Sequence, residues 1–342
     1  MERAYYIAEI GLNHNGDVKL AKQLIDMAIE CGANAVKFQK RCVEQMATKD
    51  VLDMPYDKFP EWGKTYREVR EHLELSKSEY VYLRNYCKDK IDFIVTPFDL
   101  QSLEFIEDLN VNAIKIASHS LTDIPLLEAI AKKKKTIILS TGMSSWHDID
   151  IAVSILDNTL ERVGSDHPLV LLHCVSNYPT NSKYANLRMI MKIKMRYTNY
   201  VVGLSDHNNS IVIPAVARSF DAMVFERHIT LDKSMIGYDH SFSLNKKELK
   251  DVIRGIRETE DALDYYDKTG PQPWEMDAFK NYRRSIVSAK DIKKGTTITK
   301  NMLTTKAPNI GLSPVSMYSI IGKKMKVNIK KDTHITGDMI YD

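Results

Sequence analysis

Along the first three-quarters of the chain, short β-rich runs alternate with longer stretches whose apolar residues recur at helical spacing. The runs are Ala4–Gly11, Asn34–Gln39, Asp92–Phe98, Ala113–Ser118, Thr136–Gly142, Leu169–Ser176, Tyr200–His207 and Asp221–Thr230. Between them lie amphipathic segments such as Asp17–Cys31, where Ala21, Leu24, Ile25 and Ala28 share one face, and Lys246–Leu263 follows the last run. Strand and helix signals in alternation predict parallel strands joined by helices. Eight such units over roughly 250 residues predict a TIM (β/α)8 barrel. A doubly wound open sheet is the rival, but no glycine fingerprint of a dinucleotide site follows the first run.

Two stretches break the alternation. Lys40–Leu75 contains Pro55, Pro60 and Trp62-Gly63-Lys64-Thr65-Tyr66, and its aromatic and charged density reads as an ordered loop over a site. Tyr265–Trp274 is rich in turn formers and marks a boundary, after which short strands and turns follow. The expected organisation is a barrel domain at 1–264, a linker at 265–282 and a small module at 283–342. A module of that size is near the limit of independent stability and is expected to lean on another surface.

Composition narrows the function. With 44% hydrophobic residues, no apolar run of membrane-spanning length and no signal-peptide pattern, the expectation is a soluble, cytoplasmic protein. A net charge of +3, from 48 basic and 45 acidic residues, lacks the concentrated basic face of a nucleic-acid binder. The dense run Lys132–Lys135 follows the apolar segment Ile124–Ile130, where positive charge complements a helix C-terminus. Cys31, Cys42, Cys87 and Cys174 show no CxxC spacing and read as reduced thiols.

In a parallel barrel the chemistry gathers at the C-terminal ends of the strands. Every predicted end here carries polar residues: Glu9, Asn13 and His14; Lys37 and Gln39; Thr96; Lys115 and Ser118; Ser140 and Thr141; His173, Ser176 and Tyr178; Ser205, Asp206 and His207; Glu226 and His228. Lys37/Gln39, Ser205/His207 and Glu226/His228 share the i, i+2 spacing that directs both side chains to one face of a strand. Lys37 and Lys115 with the hydroxyls of Ser118, Ser140 and Ser205 suit an anion bearing phosphate and carboxylate groups. His207 and His228, with Glu9, offer ligands for a divalent ion or acid/base groups. Together these point to a lyase or transferase acting on a phosphorylated acid.

Six ordered motifs carry a resemblance across nearly the whole chain. They are Ala8–Gly16, Ala35–Gln39, Ser140–Met143, Leu172–Pro179, Gly203–His207 and Glu226–Thr230, and together they resemble the sialic acid synthases. The segment from Ser285 to Lys324 resembles that family's antifreeze-like (SAF, β-clip) domain. The resemblance implies condensation of phosphoenolpyruvate with the open-chain aldehyde of an N-acetylhexosamine, with manganese or magnesium, giving a nine-carbon 2-keto acid and phosphate. It assigns His207 and His228 as metal ligands, and Glu9 and Glu226 as acids around the aldehyde and phosphoenolpyruvate. Lys37, Lys115, Thr96, Ser118, Ser140 and Ser205 resemble the phosphoenolpyruvate-binding set, with Ser176 nearby. Gln39, Tyr178 and Asp239 fall where the family approaches the sugar or the metal-linked end. It also implies a homodimer in which the small domain covers the partner's active site. A relative making an octulosonate or heptulosonate, and a non-catalytic carbohydrate-binding protein, are the alternatives.

The departures concern the acceptor. His119-Ser120 stands where many relatives have an acid, and Ala307 where some bacterial members have an arginine. Trp62–Tyr66 resembles the animal type, whereas Ile116-Ala117-Ser118, Leu121–Pro125 and Phe242-Ser243-Leu244 resemble synthases of pseudaminic or legionaminic acid. N-acetylmannosamine, its 6-phosphate and a 2,4-diacetamido-6-deoxyhexose all stay open.

Overall fold

A computed structural model describes residues 3–162, 164 and 168–341, and in it eight parallel strands close into a barrel in chain order. They are β1 (Tyr5–Gly11), β2 (Ala35–Lys40), β3 (Asp92–Pro97), β4 (Ala113–Ile116), β5 (Thr136–Ser140), β6 (Leu169–Cys174), β7 (Val201–Ser205) and β8 (Val224–His228). Closure comes from β8 pairing with β1, where His228 lies opposite Glu9. Helix Val18–Cys31 shows how local sequence sets an element. Asp17 caps its start by accepting from the Lys19 amide, and Gly32, at φ 84°, ends it. Its apolar stripe of Ala21, Leu24, Ile25 and Ala28 is fully buried against the barrel.

Strand alternation divides the barrel into two environments. Tyr6, Ala8, Ile10, Val36, Phe38, Phe93 and Phe225 point outward into the layer shared with the helices. Ile7, Ala35, Ile94, Ala113, Ile138, Val170, Leu172 and Val224 fill the lower interior. One step further along the same inward rows stand Glu9, Lys37, Thr96, Lys115, Ser140, Cys174, Ser205 and Glu226, all buried. Gly203 has no room for a side chain, because a Cβ there would lie 2.0 Å from the Val224 carbonyl oxygen.

Seven of the eight strands are shorter than expected, and two of them show why. Asp221–Met223 precedes β8 in a turn: Asp221 has φ 70°, and the Ala222 amide bonds back to Ala217 at the end of helix Ile213–Ser219. The fourth strand stops at Ile116, and the 3-10 turn Ser118–Ser120 delivers Ser118 instead. The stretch 40–75 holds three short helices, Val43–Met46, Lys49–Leu52 and Tyr66–His72, the last started by a Thr65/Glu68 capping box. Phe59 stacks on Trp62 at 4.5 Å and packs its ring against Tyr238 at 4.7 Å, tying this stretch to the segment after β8.

Residues 265–342 form a second compact unit. Helix Met276–Tyr282 opens it, and the Asn309 amide donates to the Lys280 carbonyl. Strands β9 (Ser285–Ser288) and β10 (Leu303–Lys306) pair antiparallel over a core of Ile286, Ile292, Ile298, Met325, Ile329 and Ile335. Isolated bridges such as Ile292 to Ile329 and Met325 to Ile340 bind the rest.

Candidate active site

A cavity of about 250 Å³ opens at the C-terminal end of the barrel. Every sequence-predicted site residue lines it: Glu9, Lys37, Gln39, Thr96, Lys115, Ser118, Ser140, Ser176, Tyr178, Ser205, His207, Glu226, His228 and Asp239. Other strand-end polar residues turn away. Thr141, His173 and Asp206 each sit between two inward positions, so alternation aims them outward. Thr141 Oγ1 donates to the Leu172 carbonyl, His173 Nε2 lies 2.9 Å from the Ala185 carbonyl, and Asp206 faces Arg227 at 3.3 Å. Asn13 braces the loop after β8 through Ile229 and Ser243, and His14 Nδ1 accepts from the Gly16 amide.

At the floor, two lysines and two carboxylates are held together by β1, β2, β4 and β8. Lys37 Nζ is 3.0 Å from Glu9, 3.7 Å from Glu226, and donates to Thr96 Oγ1 at 3.1 Å. Lys115 Nζ approaches Glu226 at 3.6 Å, and Ser205 Oγ donates to the same Glu226 oxygen at 3.1 Å. Burial opposes the charge of Glu226, but Lys115 and Lys37 outweigh it and hold the carboxyl down at about 2. Burial likewise opposes the Lys37 ammonium, yet Glu226 and Glu9 leave it raised. Lys115 ends lowered, because burial, with Lys37, outweighs the attraction of Glu226 and Glu9. Glu9 Oε2, Glu226 Oε2 and Ser140 Oγ are buried without an aligned hydrogen bond, so the floor has unused acceptor and donor capacity. Gly142 makes room beside it. A Cβ there would meet Ser176 Oγ at 2.4 Å and Ser118 Oγ at 2.8 Å.

Above Glu226 the two histidine rings lie 5.7 Å apart, walled by Tyr178 and Phe242. His207 Nδ1 is 3.3 Å from the Val175 carbonyl, so that nitrogen carries the proton and Nε2 keeps its lone pair. Burial, reinforced by His228, pushes the His207 imidazole down to about 3, so it is neutral near pH 7, the form that ligates metals. His228 Nδ1 is buried without a hydrogen-bond partner, 3.7 Å from Asp239. Two imidazoles beside an acid fit a divalent ion. Among the described residues no cluster of three or more His, Cys, Asp or Glu is poised for a metal, so an ion here would complete its shell with water or substrate oxygens.

The NeuB family model matches residues 24–268, and the SAF domain model matches residues 283–340. The chain belongs to the NeuB family. Human N-acetylneuraminate-9-phosphate synthase is 36% identical over 98% of this chain and 92% of its own. The N,N'-diacetyllegionaminic acid synthase of Legionella pneumophila is also 36% identical, over 98% and 94%. The N-acetylneuraminic acid (sialic acid) synthetase of Leptospira borgpetersenii, solved with citrate, superposes with a TM-score of 0.68 at 34% identity, covering 81% of this chain and 90% of that one. The fold is thus a TIM barrel carrying a SAF domain, within the sialic acid synthase family. Among the described residues no helix is long and apolar enough to cross a membrane.

Sequence reasoning missed Arg41, Arg70, Phe98 and Tyr238, which also line the cavity. Arg41 was legible, since it extends the Lys37/Gln39 alternation by one more step. Arg70 and Tyr238 had no such signal, because tertiary packing of helix Tyr66–His72 and the segment after β8 brings them in.

Proposed function

We propose that this protein condenses phosphoenolpyruvate with the open-chain aldehyde of an N-acetylhexosamine to give a nine-carbon 2-keto acid and phosphate. One observation carries the reading: the buried Lys37/Lys115/Glu9/Glu226 floor and the His207/His228 pair face one cavity. Sialic and legionaminic acid synthases among the relatives support it. Lys37 and Lys115, with Thr96, Ser118, Ser140, Ser176 and Ser205, bind phosphoenolpyruvate and keep its charge stabilised throughout. Gln39, Tyr178 and Asp239 position the sugar. Manganese or magnesium, held by His207 and His228, supplies Lewis-acid polarisation of the aldehyde oxygen.

C3 of phosphoenolpyruvate attacks the aldehyde carbon, and the positive charge at C2 is relieved by water. The tetrahedral hemiketal phosphate then releases phosphate by C–O cleavage, leaving the C2 ketone. Glu226, held ionised, stabilises the cationic centre that develops at C2, and Glu9 relays the attacking water's proton to the former aldehyde oxygen, which becomes a hydroxyl, while the hemiketal's proton leaves with the phosphate. The SAF domain covers the site of a partner subunit in a homodimer, and light scattering tests that part: a monomer with retained activity removes it. Phosphate release is measured with manganese, phosphoenolpyruvate and a panel of N-acetylhexosamines, with product mass by mass spectrometry. No phosphate from any acceptor overturns the synthase reading. Release only with a pentose or tetrose phosphate favours the octulosonate or heptulosonate alternative.

A further inference from the structure

We propose that Arg41 and Arg70 form an oxyanion subsite at the mouth of the cavity, selecting an acceptor sugar that carries a phosphate or carboxylate at the end remote from its aldehyde. This rests on the synthase reading and narrows its substrate class. Arg41 follows Lys37 and Gln39 on the same inward row, four residues and about 13 Å along the chain from Lys37. Its Nη2 donates to Gln39 Oε1 at 2.5 Å, and Gln39 Nε2 in turn donates to Glu9 at 2.6 Å. Arg41 is only 8% exposed, yet its Nη1 is buried with no hydrogen-bond partner. Arg70, 6% exposed, lines the same cavity beside Tyr238, 5.3 Å from that ring.

Among the described residues neither guanidinium forms an ion pair. The acids around them are engaged elsewhere: Glu74 with Lys40 at 2.5 Å, Asp239 beside His228, and Glu9 and Glu226 with the floor lysines. Arg41 lies 3.7 Å from the Phe98 ring, and beyond Phe98 stacks His119, which burial keeps from charging. Asp239 and Glu74 are the nearest acids, and with both engaged by other partners Arg41 Nη1 is left for a ligand. Two buried guanidiniums lining one cavity, one of them with an unused donor, are best compensated by an anion in that cavity. A planar fork suits phosphate and carboxylate alike. The floor lysines are already matched to phosphoenolpyruvate, so the remaining anion belongs to the acceptor.

The test is isothermal titration calorimetry of wild type, Arg41→Met, Arg41→Lys and Arg70→Gln with N-acetylmannosamine, its 6-phosphate and N-acetylmannosaminuronate. At least one anionic sugar is expected to bind ten-fold or more tightly than the neutral one, and whichever wins identifies the group as phosphate or carboxylate. That ratio is expected to fall to near one in Arg41→Met and to recover partly in Arg41→Lys, whose near-ultraviolet circular dichroism reports folding. Equal affinity for neutral and anionic sugars, or a preference untouched in both Arg41→Met and Arg70→Gln, overturns the proposal. So does a loss of phosphoenolpyruvate affinity in place of acceptor affinity. An anionic preference without phosphate release from any acceptor would count against the synthase reading alone.

Discussion

Lys37→Met is the sharpest probe of the buried charge cluster. Methionine nearly matches the lysine stem in volume, so the change removes a charge more than it opens a cavity. Lys37 lies 3.0 Å from Glu9 and 3.7 Å from Glu226, both nearly fully buried. At an effective dielectric of about 20 these attractions are about 5.5 and about 4.5 kcal/mol, partly offset by the desolvation of the lysine itself. The variant keeps both carboxylates in the barrel with only Lys115 to balance them. Breaking a buried pair in this way costs about 3–5 kcal/mol. The assay is urea unfolding of the full chain at pH 7, wild type against Lys37→Met and Lys37→Met/Glu9→Gln. The double variant is expected to regain at least half of the loss, because the surplus charge goes with Glu9. A loss below about 1 kcal/mol in Lys37→Met, or no recovery in the double variant, would falsify the argument that these charges stabilise one another.

Four further outcomes follow from the structure. Gly11 has φ 55°, and a Cβ there would lie 3.1 Å from Glu9 Oε1 and His228 Cε1 and 3.2 Å from Gln39 Nε2. Gly11→Ala is therefore expected to cut kcat/KM at least ten-fold while the fold survives, and wild-type kinetics would contradict this. Burial, with Arg41, lowers the His14 imidazole from 6.5 to about 4. Between those values the unfolded chain binds the extra proton, so stability rises with pH through this window, by about 3 kcal/mol for this group. His14→Gln should flatten that slope in denaturation curves from pH 4 to 6.5, and an unchanged slope sinks the assignment. Chelation with EDTA should abolish phosphate release and manganese should restore it. Manganese binding by calorimetry should weaken at least ten-fold in His228→Ala, and undiminished binding would place the ion elsewhere.

Much of the site was readable from strand periodicity. Side chains at i and i+2 share a face whatever the rest of the chain does, so Lys37/Gln39, Ser205/His207 and Glu226/His228 were bound to face one way together. Applied more strictly, the same rule would have set aside Thr141, His173 and Asp206 and admitted Arg41. Strand ends were less legible. Asp221 leaves the extended conformation because the preceding helix terminates through Ala222, a hydrogen bond that no local pattern announces.

The sequence by itself determined the eight βα units and the inward rows of each strand, because backbone alternation and helical spacing are local properties. Only the tertiary structure decided which charges meet. Barrel closure sets His228 opposite Glu9, and the depth of Lys37 lets it touch both Glu9 and Glu226. Phe59, stacked on Trp62, packs against Tyr238 and ties the stretch that carries Arg70 to the segment after β8. Those distances arise from contacts far apart in the chain, and charge interactions depend on distance and burial, so their pairing could not be read along one dimension.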